Sequence, residues 1–233
     1  MVSLTLSALL GHVCYRHGLL TSGGATAAFL MGSAIGILGS PQWLLLLVLF
    51  AILGFVATRI GFYEKQDMGV QDGQHGERGS KNIIGVALPP LIMAIMDFAW
   101  QGNDGIMAIA YVATIAVAAA DTAASELGVR DPNVWLITTF KKVPPGTDGG
   151  VSVKGTIYST LAAIVFSLIG FYVVLGTMDW RVLIPILCGI IGCFADSLIG
   201  ATLESKGLVN KYINNCTTGI LGGLLAIPLC LLF

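Results

Sequence analysis

The stretch Ile106-Met107-Ala108-Ile109-Ala110-Tyr111-Val112-Ala113-Thr114-Ile115-Ala116-Val117-Ala118-Ala119-Ala120-Asp121-Thr122-Ala123-Ala124-Ser125-Glu126 decides how the rest of this chain is read. It runs from Ile106 to Ala120 without a charge and then delivers Asp121, hydroxyl residues and Glu126. About 20 apolar residues of helix cross the hydrocarbon core of a bilayer, so the stretch reads as a span. A carboxylate at the end of a span is costly, and it faces a partner, an ion or a water-filled cavity. A second stretch echoes the first: Ala195-Asp196-Ser197-Leu198-Ile199-Gly200-Ala201-Thr202-Leu203-Glu204 closes another apolar run with Asp, hydroxyl residue and Glu.

Composition points the same way. Of the 233 residues 55% are hydrophobic and 11% charged, and the mean hydropathy is +0.85. Soluble domains carry about 25% charged residues, so this chain is an integral membrane protein. A net charge of -1 argues against nucleic acid, whose phosphates call for a basic excess. The cysteines Cys14, Cys188, Cys193, Cys216 and Cys230 are odd in number and form no CxxC pair, which supports neither a disulfide framework nor a zinc site. Met1 to Leu10 lacks a basic leader and reads as a retained helix.

Apolar stretches near 2–15, 24–39, 42–62, 82–100, 103–125, 153–176, 180–204 and 215–233 predict an all-α bundle of seven or eight spans, with residues 1–233 as one membrane domain. The connectors 63–81, 126–152 and 205–214 are longer and polar. In this arrangement Arg181 alone, of the 12 lysines and arginines, falls on the side opposite the others. Positive charge marks the cytoplasmic side, so the long connectors and both acidic stretches are expected there, in a multi-pass protein of the cell membrane. Glycines within spans, such as Gly32, Gly36, Gly192 and Gly222, suit close helix packing.

Carboxylates with neighbouring hydroxyls are hard oxygen ligands suited to Mg²⁺, which takes one or two carboxylates plus substrate phosphates. On a helix Asp121 and Ser125 share a face, as do Ser197 and Glu204, with Asp196 and Gly200 on an adjoining strip. Between the acidic stretches lies Pro144-Pro145-Gly146-Thr147-Asp148-Gly149-Gly150-Val151-Ser152-Val153-Lys154-Gly155-Thr156. Alone it would read as a turn. Opening a helix between two acidic ends, it reads as a phosphate cradle. Its order Lys154-Gly155-Thr156 is not that of a Walker A loop. Arg78 and Lys81 in Arg78-Gly79-Ser80-Lys81-Asn82 are either a phosphate clamp or ordinary flanking charge. Asn210, Asn214, Asn215 and Thr217 either cap the last helix or recognise a base or ribose.

Three linked blocks resemble one family: Asp121-Thr122-Ala123-Ala124-Ser125-Glu126-Leu127-Gly128; Gly146-Thr147-Asp148-Gly149-Gly150-Val151-Ser152 with Gly155-Thr156; and Gly192 to Asp196-Ser197-Leu198-Ile199-Gly200-Ala201. It is the integral-membrane family first catalogued as domain of unknown function 92, which includes plant phytyl-phosphate kinase and animal transmembrane protein 19. The resemblance covers nearly the whole chain. It implies CTP-dependent phosphorylation of a prenyl monophosphate of geranylgeranyl or phytyl type to the diphosphate. It also implies that Asp121, Glu126, Asp196 and Ser197 are metal or nucleotide-phosphate positions, and Asn214 part of a C-terminal asparagine block. The block Asn82-Ile83-Ile84-Gly85-Val86-Ala87 lacks the Asn-Gly pair usual in relatives. Short external loops resemble a prokaryotic or archaeal member, for which geranylgeranyl or another isoprenoid is expected over a chlorophyll-derived phytyl chain.

Residues and resemblance together assign catalysis to Asp121, Asp196 and Lys154, with Mg²⁺ on Asp121, Glu126 and Asp196. Nucleotide and phosphate binding falls to Arg78, Lys81, Gly149, Gly150, Ser152, Gly155, Thr156, Ser197 and Asn214. The expected partners are the lipid membrane, an isoprenoid monophosphate, a nucleotide and, as an open alternative, further copies of the chain. Rival readings are a lipid cytidylyltransferase or isoprenoid-alcohol kinase, and an ion-coupled transporter built on internal repeats.

Overall fold

The computed structural model describes residues 1–71, 73–100 and 102–232. Its helices in chain order are α1 Val2–Arg16, α2 Ser22–Leu38, α3 Pro41–Arg59, α4 Phe62–Asp67, α5 Ser80–Ala99, α6 Ile106–Leu127, α7 Val153–Gly170, α8 Leu183–Ile199 and α9 Lys211–Leu232. α7 and α8 continue into π turns at Phe171–Leu175 and Gly200–Glu204. Among the described residues six segments are long and apolar enough to cross a membrane, and α2 is a shorter apolar helix. The fold is a polytopic all-α membrane bundle.

The Ile106–Glu126 stretch forms the central helix, α6. In α6, 78% of the apolar segment is buried, against 39% or less in every other span. It touches α3, α5, α7, α8 and α9. A helix that is apolar all round, here with alanine as its commonest residue, has no face to offer water and is surrounded. Its polar groups find partners within the bundle: the Tyr111 hydroxyl donates to Trp43 O of α3, and Thr114 Oγ1 donates to Tyr111 O at 2.7 Å. Close approach has a structural cause, since a Cβ on Gly192 of α8 or Gly222 of α9 would fall 2.5 Å from Val117 Cγ2.

α1 is only 15 residues long and is fastened to α2 through small residues at helical spacing. Ser3 Oγ donates to Gly36 O at 2.8 Å, and a Cβ on Gly36 would meet Ser3 at 2.7 Å. This is the small-residue packing expected between membrane helices.

The connectors 63–81 and 126–152 hold structure that the pattern of hydrophobicity did not announce. α4 lies in the first. In the second, β1 Val134–Leu136, β2 Lys142–Val143 and β3 Gly150–Val151 form an antiparallel sheet ordered β2-β1-β3. Val134 pairs with Val143, and Leu136 with Gly150. Strands of two or three residues are too short to show a period. The sheet sits on the side of the bundle that carries every lysine and arginine except Arg181, called the basic side below.

Candidate active site

Four helix ends meet on the basic side. α6 and α8 finish there and α7 and α9 begin there, enclosing with the 146–152 loop a cavity of about 220 Å³. Asp121 from α6 and Asp196 from α8 stand side by side on its wall. Thr218 Oγ1 of α9 donates to Asp196 Oδ2 at 3.3 Å. Asn214 Nδ2 donates both to Asp196 O at 3.1 Å and to Glu204 Oε2 at 3.2 Å. Glu204 and Asp148 complete an acidic lining, and Lys211 is the one Lys or Arg among the described lining residues.

The π turn sets one wall. Ser205 N donates to Gly200 O at 3.0 Å, an i→i+5 bond that changes the helical phase. Straight α-helix would leave Asp196 and Gly200 on a strip beside Ser197 and Glu204. With the π turn all four line the cavity.

The opposite wall is the glycine loop, and each glycine has a packing reason. Gly149 is left-handed at φ +75, and a Cβ there would fall 2.4 Å from Ala201 Cβ in the π turn. Gly155 abuts Gly128, where an added Cβ would meet its Cα at 2.5 Å. Ser152 caps α7 by accepting from Gly155 N at 3.0 Å, and Thr156 Oγ1 donates back to Ser152 O at 2.9 Å. Ser152, Gly155 and Thr156 line the cavity with Gly149, Gly150 and Ser197. The starts of α7 and α9 bring two helix N-termini, which favour anions.

Other expected site residues stand elsewhere. Glu126 is five residues beyond Asp121, about 140° round an α-helix at 3.6 residues per turn. It points away from the cavity into an ion pair with Lys65, 2.6 Å, and accepts from Thr58 Oγ1 at 2.8 Å. That geometry removes Glu126 from the metal set expected with Asp121 and Asp196. Lys65 Nζ also donates to Ala57 O at 3.0 Å and Thr58 O at 2.9 Å, so all three of its protons are used and the cation caps the C-terminus of α3. Gly61, at φ +63, turns the chain so that α4 can bring Lys65 back beneath α3. Arg78 joins this cluster, with Nη2 3.8 Å from Glu126. Lys81 and Lys154 are exposed and off the cavity wall. The Lys154 contribution is its backbone N–H, which donates to Asp131 Oδ2 at 3.4 Å. Asn214 is buried and braces Asp196 and Glu204, whereas Asn215 lines the cavity.

Lys211 is a lining residue that the hydrophobic pattern did not single out. One signal was available: Lys211 is in the first turn of α9, where a cation opposes the helix dipole. Positive-inside flanking hides that signal, because it asks for lysines at the same helix ends.

No three His, Cys, Asp or Glu side chains among the described residues converge closely enough to enclose an ion by themselves. The Asp121–Asp196 pair nevertheless fits Mg²⁺, which keeps waters and substrate phosphates as its remaining ligands. A wall this acidic would repel a nucleotide unless a cation came with it.

The chain matches, over residues 5–221, the family described as integral membrane protein DUF92. It belongs to that family. Within DUF92 it is 33% identical over 230 residues to the uncharacterized membrane protein MJ0933 of Methanocaldococcus jannaschii, covering 97% of this chain and 92% of that one. It is 35% identical over 214 residues to the uncharacterized membrane protein sll0875 of Synechocystis, covering 90% and 82%. It is 27% identical over 216 residues to protein VTE6, chloroplastic, of Arabidopsis thaliana, covering 89% and 64%. No solved structure matches the chain. The archaeal and cyanobacterial relatives agree with the compact, prokaryotic or archaeal form expected of this DUF92 protein.

Proposed function

We propose that the protein is a CTP-dependent prenyl-phosphate kinase that works with Mg²⁺ at the cytoplasmic face of the cell membrane. One observation carries the reading: two carboxylates from the ends of α6 and α8 meet in a cavity walled by a glycine loop and two helix N-termini. The resemblance to a family that includes plant phytyl-phosphate kinase, and the 27% identity to protein VTE6, support the substrate class. The excess of Lys and Arg on the cavity's side supports the cytoplasmic orientation.

Asp121 and Asp196 would hold Mg²⁺, which when bound neutralises charge on the nucleotide phosphates. Lys211 and the first turns of α7 and α9 attract and orient those phosphates. Ser197 and Thr156 turn toward them the hydroxyls that otherwise donate to Cys193 O and Ser152 O. Thr218 and Asn214 fix the Asp196 carboxylate and its backbone, so that little reorganisation is needed as charge shifts. An oxygen of the lipid monophosphate attacks the γ-phosphorus of CTP; the new P–O bond replaces the bond to the β-phosphate oxygen, and CDP leaves. The acceptor is already an anion at neutral pH, so no general base is required of the chain.

The test is the full-length protein in nanodiscs with radiolabelled CTP, Mg²⁺ and geranylgeranyl monophosphate. The expected products are labelled prenyl diphosphate and CDP. Pyrophosphate release would identify a cytidylyltransferase instead, and labelling of the free alcohol an alcohol kinase. Absence of diphosphate with every prenyl chain and nucleotide tried would sink the kinase reading.

A further inference from the structure

A second cavity, of about 230 Å³, lies among α1, α2, α3 and α5, away from the carboxylates. Its wall is hydrocarbon almost throughout, with Met31, Leu44, Leu47, Val48 and Phe55 among the lining residues. Ile52 on its rim is 52% exposed, so the cavity communicates with the lipid-facing surface of the bundle. From Leu44 to Phe55 it follows α3 for about 16 Å at 1.5 Å per residue, roughly half the hydrocarbon thickness of a bilayer.

The charged group on this wall is Arg78, 91% buried by its 9% exposure. Its bonds do not balance it. Nη2 reaches Thr58 Oγ1 at 3.4 Å and Glu126 only at 3.8 Å, while Lys65 holds the same carboxylate at 2.6 Å. Two buried cations therefore share one anion. Arg78 Nε has no hydrogen-bond partner among the described residues, and buried polar groups left so are rare and costly. The residue is held in place by its backbone, with Arg78 N donating to Leu19 O at 3.0 Å and Thr21 N donating to Arg78 O at 3.1 Å. Gly54 leaves room for the guanidinium, because a Cβ there would fall 2.9 Å from Nη1.

An apolar chain that ends in an anion answers both features, and a guanidinium fork is well matched to phosphate. The route to the carboxylates is short: Val86 borders this cavity and also a narrow crevice lined by Asp121, Asn215 and Thr218. We propose that the α1–α2–α3–α5 cavity binds the hydrocarbon chain of the lipid monophosphate acceptor, with Arg78 as the anchor of its phosphate. This assignment rests on the kinase reading for the word acceptor, and on the cavity and Arg78 for the site. It makes the cavity the determinant of prenyl chain length, with nucleotide and lipid approaching Asp121 from opposite sides of α6.

The experiment measures binding of radiolabelled geranylgeranyl monophosphate to the full-length protein in nanodiscs, without nucleotide. Ala51→Phe places a ring in the cavity while leaving Arg78 and the carboxylates in place. Arg78→Gln removes the charge while Lys65 still pairs with Glu126. Each variant should bind at least about tenfold more weakly, the scale expected for losing a charge-assisted bond or much of the chain contact. The loss in Arg78→Gln should be confined to the monophosphate and absent for geranylgeraniol. Thermal unfolding checks that both variants fold. Unchanged binding in both folded variants overturns the proposal, as does displacement by phosphatidic acid at concentrations where unlabelled geranylgeranyl monophosphate fails. The two readings separate cleanly. Binding that follows the variants without any diphosphate formation upholds the site and refutes the kinase. Diphosphate formation with an unaltered KM for the lipid in Ala51→Phe upholds the kinase and refutes the site.

Discussion

Asp121 and Glu126 stand five residues apart on α6 and meet opposite surroundings. Glu126 is closed in by Lys65, Thr58 and Arg78, with cations in excess. Asp121 faces a second carboxylate, Asp196, with Glu204 beyond it and a cavity in front. The first arrangement is one a fold can keep for its own sake, since a buried charge with its partners in place ties α3, α4 and α6 together. The second spends stability, because two carboxyl groups are buried side by side in a site that suits a cation brought from outside. Acids of the same helix, close in sequence, are thus divided between architecture and chemistry by a rotation of about 140°.

Breaking each half should give opposite signatures. Glu126→Ala leaves Lys65 and Arg78 buried without their carboxylate and is expected to destabilise the protein by about 3–5 kcal/mol, the cost of removing one partner of a buried pair. Replacing Glu126 and Lys65 together by apolar residues of similar size should cost much less. Reversible unfolding in detergent measures both, and equal losses would erase the distinction. Asp121→Asn and Asp196→Asn are expected to lower turnover by about 10²–10³-fold, the scale of one lost electrostatic contributor. Either should leave the melting temperature equal or higher, since a buried ionisable carboxyl is replaced by a neutral amide of the same shape. Full activity in either variant would take that residue out of the site.

Two smaller effects sharpen the picture. Gly149→Ala forces a Cβ into a left-handed residue that touches Ala201, which should cost about 1–2 kcal/mol from the backbone alone and lower turnover by shifting the cavity wall. An unchanged variant in both respects would mean that the loop is not held against α8. Asp131 is a carboxylate outside both clusters. The backbone N–H of Asn133 first, then that of Lys154, hold its carboxyl below the usual carboxylate range. A depressed folded pKa contributes stability that is fully present above the unfolded value of about 3.9 and is lost as pH falls through the folded one. Asp131→Asn should therefore narrow the gap in melting temperature between pH 6 and pH 3. A gap as wide as in the parent protein would show that another group is responsible.

Much of the bundle was legible beforehand. The expected spans at 42–62, 82–100 and 103–125 became Pro41–Arg59, Ser80–Ala99 and Ile106–Leu127, because a bilayer imposes length and apolarity so strictly that both survive in one dimension. The pairing of the two acidic stretches was also visible, since each closes an apolar run and a carboxylate there demands an explanation. The π turn at Gly200–Glu204, Lys65 beneath α3 and the short strands were not. A π turn depends on one carbonyl skipping to a later amide, Lys65 on a reversal at Gly61, and strands of two residues have no period to read.

By itself, then, the sequence determined that this is a membrane bundle with acids on its basic side, because hydrocarbon tolerates few alternatives to an apolar helix. Which acids face a cavity and which are neutralised was decided only by the tertiary structure. That choice depends on helix phase and on what the neighbouring helices carry: Glu126 turns toward Lys65 and Asp121 toward Asp196, and both outcomes follow from contacts between residues far apart in the chain.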